Sequence, residues 1–110
     1  MNVRNASTSE MSLEHGVKIW ELVKEGECKV VEHVEEFIVE KELELHRSKV
    51  PAEEFYYILS GRGIMRVENE EREVGPGDLI IIPVGALHGI KVKGTFPIHA
   101  LSWKCILEKP

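Results

Sequence analysis

From Phe37 to His46 the chain alternates: Val39, Leu43 and Leu45 fall on one side, and Glu40, Glu42, Glu44 and His46 on the other. A period of two puts neighbouring side chains on opposite faces of a pleated strand, so one face is predicted to meet a core and the other water. Shorter runs rich in β-branched and aromatic residues predict strands at Val17 to Val23, Cys28 to His33, Glu54 to Ser60, Gly63 to Val67 and Arg72 to Val74. Leu79 to Ile82, His88 to Val92 and Ile98 to Ile106 complete the set. Turn residues separate them: Gly26, the Ser60-Gly61-Arg62-Gly63 corner, Asn69-Glu70 and Gly94-Thr95. Many short strands and no sustained helical period predict an all-β antiparallel sandwich or barrel. The polar, Ser- and Asn-containing start reads as a flexible arm over residues 1–15, with one barrel domain over 16–110.

Composition narrows the function classes. With 110 residues the chain has room for one core and not two. Its formal net charge is −5, and Lys and Arg lie scattered among glutamates rather than gathered in a stripe, which argues against nucleic acid as a partner. No apolar run reaches the length of a membrane span, and the first residues lack the basic start and apolar centre of a signal peptide. The expected location is therefore cytoplasmic, with no membrane partner. Cys28 and Cys105 stand far apart and are expected as two reduced thiols, a disulfide between first and last strands being the alternative. Ser60 lacks the strand–turn–helix setting of a nucleophile elbow, and no glycine-rich turn precedes a helix that would cradle phosphate.

One stretch carries more than pattern. Gly77-Asp78 forms a turn, Leu79 to Ile82 a strand, Pro83-Val84-Gly85 a second turn, and His88 opens the next strand. This spacing of glycine, proline, glycine and histidine resembles the second motif of the cupin family, and Glu54 to Gly61 is similar to the second half of the first motif. The resemblance implies a double-stranded β-helix, the cupin jelly-roll barrel, with core motifs over about 37–106. It also implies a small-molecule pocket at the barrel mouth, a divalent transition metal such as Zn, Mn, Fe or Ni held by His88 and Glu54, and, with the exposed strand edges, a homodimer paired through the early strands and the outer sheet face.

Face parity supports an interior place for both residues. His88 shares its face with Ile90 and Val92, and Glu54 shares its face with Tyr56 and Ile58. Such a pair serves either as metal ligands or as a buried hydrogen-bonded couple. The family's first-motif histidine pair falls on Arg47 and Lys49, which are cations. His46 lies one residue too early and, under strict alternation, faces water with the glutamates. A bulge before Pro51 would turn His46 inward and give a His46, Glu54, His88 ligand set, with Ser48 at the second histidine's place. Without a bulge, Arg47 and Lys49 face the pocket and suit a small anion. His99 shares parity with Leu101, Trp103 and Cys105, so His99 and Trp103, with Tyr56, are expected to line the cavity. His15 and His33 are expected at edges without partners.

Two functions follow from these alternatives. One is a metal-dependent isomerase or oxygenase acting on a sugar-like or carboxylate-bearing metabolite. The other is a metal-free binding or sensing barrel for a small anionic ligand. The register between Leu45 and Glu54 separates them.

Overall fold

The computed structural model of the chain describes residues 1–106. After a short 3-10 turn at Ala6–Thr8 come ten strands: β1 Met11–Glu14, β2 Val17–Val23, β3 Val31–Val39, β4 Glu42–His46, β5 Ala52–Ser60, β6 Gly63–Val67, β7 Glu70–Val74, β8 Leu79–Ile82, β9 His88–Val92 and β10 Ile98–Ile106. They form a six-stranded sheet in the order β1-β2-β3-β10-β5-β8 and a four-stranded sheet in the order β4-β9-β6-β7, with antiparallel pairing in both. The two sheets close over a shared apolar interior as a jelly-roll barrel.

The core is made where inward positions of both sheets meet. Val39, Ile58, Ile82, Ile98 and Ala100 are essentially inaccessible to solvent. Each large aliphatic side chain so buried contributes about 1.5–3 kcal/mol relative to exposure. Phe37 on β3 and Tyr56 on β5 meet edge to face across β10, their ring centroids 5.1 Å apart. Their opposite numbers on β10 are Ala100, facing Phe37, and Ser102, facing Tyr56. Only small side chains leave space for the two rings to touch above the strand between them.

That packing reverses the expected faces of β10. Ala100, Ser102 and Ile98 are buried inside, while His99 and Trp103 lie on the outer face. Trp103 stacks on Phe55 there, at 5.3 Å between centroids. His99 pairs with Glu36 of β3 at 2.5 Å. Neither lines the cavity.

Two boundaries also differ from the sequence expectation. The run from Phe37 to His46 is two strands, because the chain passes from the larger sheet to the smaller at Glu40-Lys41. Val39 and Leu43 both still point into the core, so the corner leaves the alternation intact and hides itself. At the N-terminus, Met11–Glu14 is a strand paired with β2, not part of an arm, and His15 sits in the turn between them. The run Cys28 to His33 begins as loop, β3 starting only at Val31. Both cysteines are free thiols, Cys28 exposed and Cys105 half-buried.

Candidate functional site

The site begins with a bulge. On the β4–β9 ladder Leu43 faces Ile90, yet the next registered pair is His46 with His88. Three steps along β4 match two along β9, so one residue of the Glu44-Leu45 pair is extra, and both are exposed. Opposite them stands Gly89, where a Cβ would lie 2.7 Å from the Leu43 carbonyl oxygen and 3.1 Å from the Leu45 nitrogen. Glycine is the residue that lets the two backbones approach this closely. The bulge changes the parity of everything after it: Leu45 turns to solvent, and His46 turns to the barrel mouth.

Four side chains meet behind it. His88 is fully buried, and its ring centroid is 4.3 Å from that of His46 and 5.7 Å from that of Tyr56. Glu54, 5% exposed, brings Oε1 to 3.5 Å from His88 Nε2 without hydrogen-bond geometry, and neither atom has a hydrogen-bond partner among the described residues. The other ring nitrogens are spoken for: His88 Nδ1 donates to the Ala86 carbonyl at 2.9 Å, and His46 Nδ1 donates to the Glu44 carbonyl at 2.8 Å. In a neutral imidazole this tautomer leaves the Nε2 lone pair free. Burial, with His88 and His15 close by, brings the His46 pKa down to about 4, so that ring is neutral near pH 7. Burial and the Glu54 carboxylate raise Tyr56 well above the ordinary phenol value, which keeps its proton in place.

Two lone pairs and a carboxylate oxygen without hydrogen-bond partners suit a cation better than they suit one another. The donor set of two imidazoles and one carboxylate fits a divalent transition metal. Among the described residues the side chains neighbour one another without already converging as a ligand cage.

The cavity in front of them holds about 350 Å³. Ser48 lines it with a buried hydroxyl that has no partner among the described residues, at the place the bulge assigns to it. Arg47 and Lys49 stay exposed at the rim. The Arg47 guanidinium is held by Glu68 at 3.1 Å and by the Gly85 carbonyl at 2.5 Å, so it is turned away from Glu54. His33, expected at a bare edge, is half-buried on the cavity wall, and His15, exposed as expected, also borders the cavity. His33 bonds to Glu35 and has Glu32 3.6 Å from its other nitrogen. His15 stacks on His46 with centroids 4.3 Å apart and planes 15° apart. The acidic residues at 32 and 35 were the available signal for His33; for His15 the hairpin had to be recognised first.

The barrel thus buries a histidine at the start of β9 beside a glutamate on β5. The family model described as Cupin domain matches residues 39–104, and the chain belongs to the cupin family. It is 48% identical over 50 residues to an uncharacterised protein of Methanocaldococcus jannaschii, a match covering 46% of this chain and 40% of that relative. The chain thus spans less than half the length of that curated relative. Among solved structures it is similar to a predicted oxalate decarboxylase of Thermotoga maritima, with 18% identity, 96% and 100% of the two chains covered and a TM-score of 0.85. It is similar also to Pac13, a nucleoside dehydratase of Streptomyces, with 20% identity, 96% and 82% coverage and a TM-score of 0.76. The DMSP lyase DddQ of Ruegeria pomeroyi gives 22% identity, 94% and 60% coverage and a TM-score of 0.77. At these identities the likeness is one of fold.

Proposed function

We propose that this cupin binds a divalent transition metal through His46, Glu54 and His88, and uses it on a small oxygen-bearing metabolite held in the cavity. The observation that carries this reading is the buried pair of atoms without a hydrogen-bond partner among the described residues, Glu54 Oε1 and His88 Nε2, beside the His46 ring whose Nδ1 is held by the Glu44 carbonyl. The bulge supports it too, since it turns His46 inward while Arg47 is engaged by Glu68 and the Gly85 carbonyl.

When bound, such a metal supplies Lewis-acid polarisation of a ligand oxygen. The chain's own residues do the rest. Tyr56 keeps a phenolic proton next to Glu54 and can donate it as a hydrogen bond to a ligand oxygen. Ser48 offers a second hydroxyl whose hydrogen bonds are open. Phe37, Leu43 and Val17 wall the cavity with apolar surface and limit water around the polar cluster. An enzymatic use draws support from the dehydratase and the lyase among similar barrels.

A second copy of the chain is the proposed partner of the outer sheet face. Tyr57, Leu79 and Ile81 are exposed there, with Tyr57 opposite Leu79 and Phe55 opposite Ile81, and β8 ends the sheet with an unpaired edge. Contiguous apolar surface beside a free strand edge favours closure by a two-fold related copy.

The test is metal content per chain in protein purified without chelator or added metal, beside the His88→Ala variant. Near-stoichiometric Zn, Mn, Fe or Ni that disappears in the variant is expected. A chain without metal that stays so after incubation with each ion overturns the reading.

A further inference from the structure

The β1–β2 hairpin closes with a two-residue turn. The last registered pair is Glu14 with Val17, and the residues between them, His15 and Gly16, have φ of 51° and 81°. Two successive positive φ values make the mirror-image turn whose twist suits a hairpin, and its first position is ordinarily Asn, Asp or Gly. Here it is a histidine, which fits the turn less comfortably than asparagine would. The turn is also fixed in space. Val17 and Ile19, just beyond it, are buried in the core, and a Cβ built on Gly16 would rest 3.6 Å from the Glu42 carbonyl at the start of β4. The hairpin therefore holds the His15 ring against the barrel mouth.

What that ring touches is His46. The two imidazoles stack at 4.3 Å and 15°, and His46 in turn lies 4.3 Å from His88 at a tilt of 54°. Among the described residues the one hydrogen bond that orients His46 runs from its Nδ1 to the Glu44 carbonyl within the bulge. A single hydrogen bond leaves a ring free to rock about its Cβ–Cγ bond, whereas a bond together with a stacked face defines its plane.

We propose that His15 is a positioning residue of the centre: stacked on His46, it fixes that imidazole with Nε2 turned into the cavity, so that the N-terminal hairpin belongs to the cation site. This rests on the metal reading given above. It adds a residue from outside the segment matched by the family model, which begins at residue 39. The arrangement accounts for a histidine in a turn that asparagine would make with less strain.

The experiment is a Co(II) titration of the full chain, with affinity and visible absorption bands recorded for the wild type, His15→Asn and His15→Phe. Asparagine keeps the left-handed turn and removes the ring, while phenylalanine keeps a ring without nitrogens. His15→Asn is expected to keep the β-sheet circular dichroism, weaken Co(II) binding about 10–100-fold and change the bands. His15→Phe is expected to stay within a few-fold of the wild type. Wild-type affinity and spectrum in His15→Asn overturn the proposal, and so does a loss in His15→Phe as large as in His15→Asn. A second readout needs no metal. Nitrogen-15 NMR of the chelator-treated chain near neutral pH is expected to show His46 in one Nδ1–H tautomer in the wild type, and an averaged signal in His15→Asn. A wild type that takes up no Co(II) defeats the metal reading alone, and an unchanged His46 signal in His15→Asn then defeats the positioning role.

Discussion

Glu54 Oε1 and His88 Nε2 face each other at 3.5 Å inside the barrel, and among the described residues neither atom has a hydrogen-bond partner. An unsatisfied polar group at such a depth costs about 1–3 kcal/mol. Glu54→Gln replaces one acceptor by an amide that can donate to the imidazole. The metal-free variant is therefore expected to be more stable than the wild type by about 1–3 kcal/mol, a rise of several degrees in Tm for a chain of this size. It is also expected to lose metal. Thermal unfolding in chelator checks the first outcome, and a lower Tm in the variant contradicts it.

Gly89 makes room for the bulge, and alanine there would press its methyl into the Leu43 carbonyl. Gly89→Ala is expected to destabilise the protein by about 1–3 kcal/mol and to displace His46 from the cavity. Urea denaturation gives the first number, and metal content the second. Wild-type values of both would mean that the bulge does not depend on the glycine.

Two histidines tilt the pH dependence of stability in opposite directions. Burial lowers His46 from 6.5 to about 4, so between those values the unfolded chain binds more protons and stability falls as pH drops. His33 is raised by its hydrogen bond to Glu35, so its contribution is full below the ordinary histidine value and is lost as pH rises through the raised one. The metal-free chain is thus expected to be most stable near pH 6.5. Glu35→Gln should flatten the alkaline decline and leave the acid one. Tm measured against pH in chelator decides it, an unaltered alkaline limb counting against the His33–Glu35 pair.

The outer face of the larger sheet gives the fourth expectation. Ile81 is 56% exposed on the edge strand and sits beside Phe55 and Leu79. The wild type is expected to sediment as a dimer at micromolar concentration and Ile81→Glu as a monomer with unchanged secondary structure. A monomeric wild type would remove this face as a docking surface.

Much of the barrel could be read from residue patterns, and the failures have physical causes. The bounds of β2, β6, β8, β9 and β10 follow from β-branched runs between turn residues. Glu54 and His88 were assigned inward from parity alone, and the structure buries both. Parity failed on β10 because its inward set includes Ser102 and Lys104 while its outward set includes Leu101 and Trp103, and the choice between them is made by Phe37 and Tyr56, rings from two other strands that meet over Ala100 and Ser102. It left His46 open because a bulge is a relation between two strands: Glu44-Leu45 carries no mark of it until Gly89 is known to lie opposite. His15 was missed because β1 is exposed throughout, so nothing in its burial pattern announced a strand.

The extra residue in β4 and the glycine opposite it also behave as one inherited character. A chain that loses one residue of the Glu44-Leu45 pair keeps His46 facing inward on an unbroken strand, and is then released from glycine at position 89. A chain that gains a side chain at 89 must shed the extra residue to stay paired. Related barrels that keep the bulge should therefore keep the glycine, and a relative showing a bulky residue opposite an intact bulge would have had to open the ladder elsewhere.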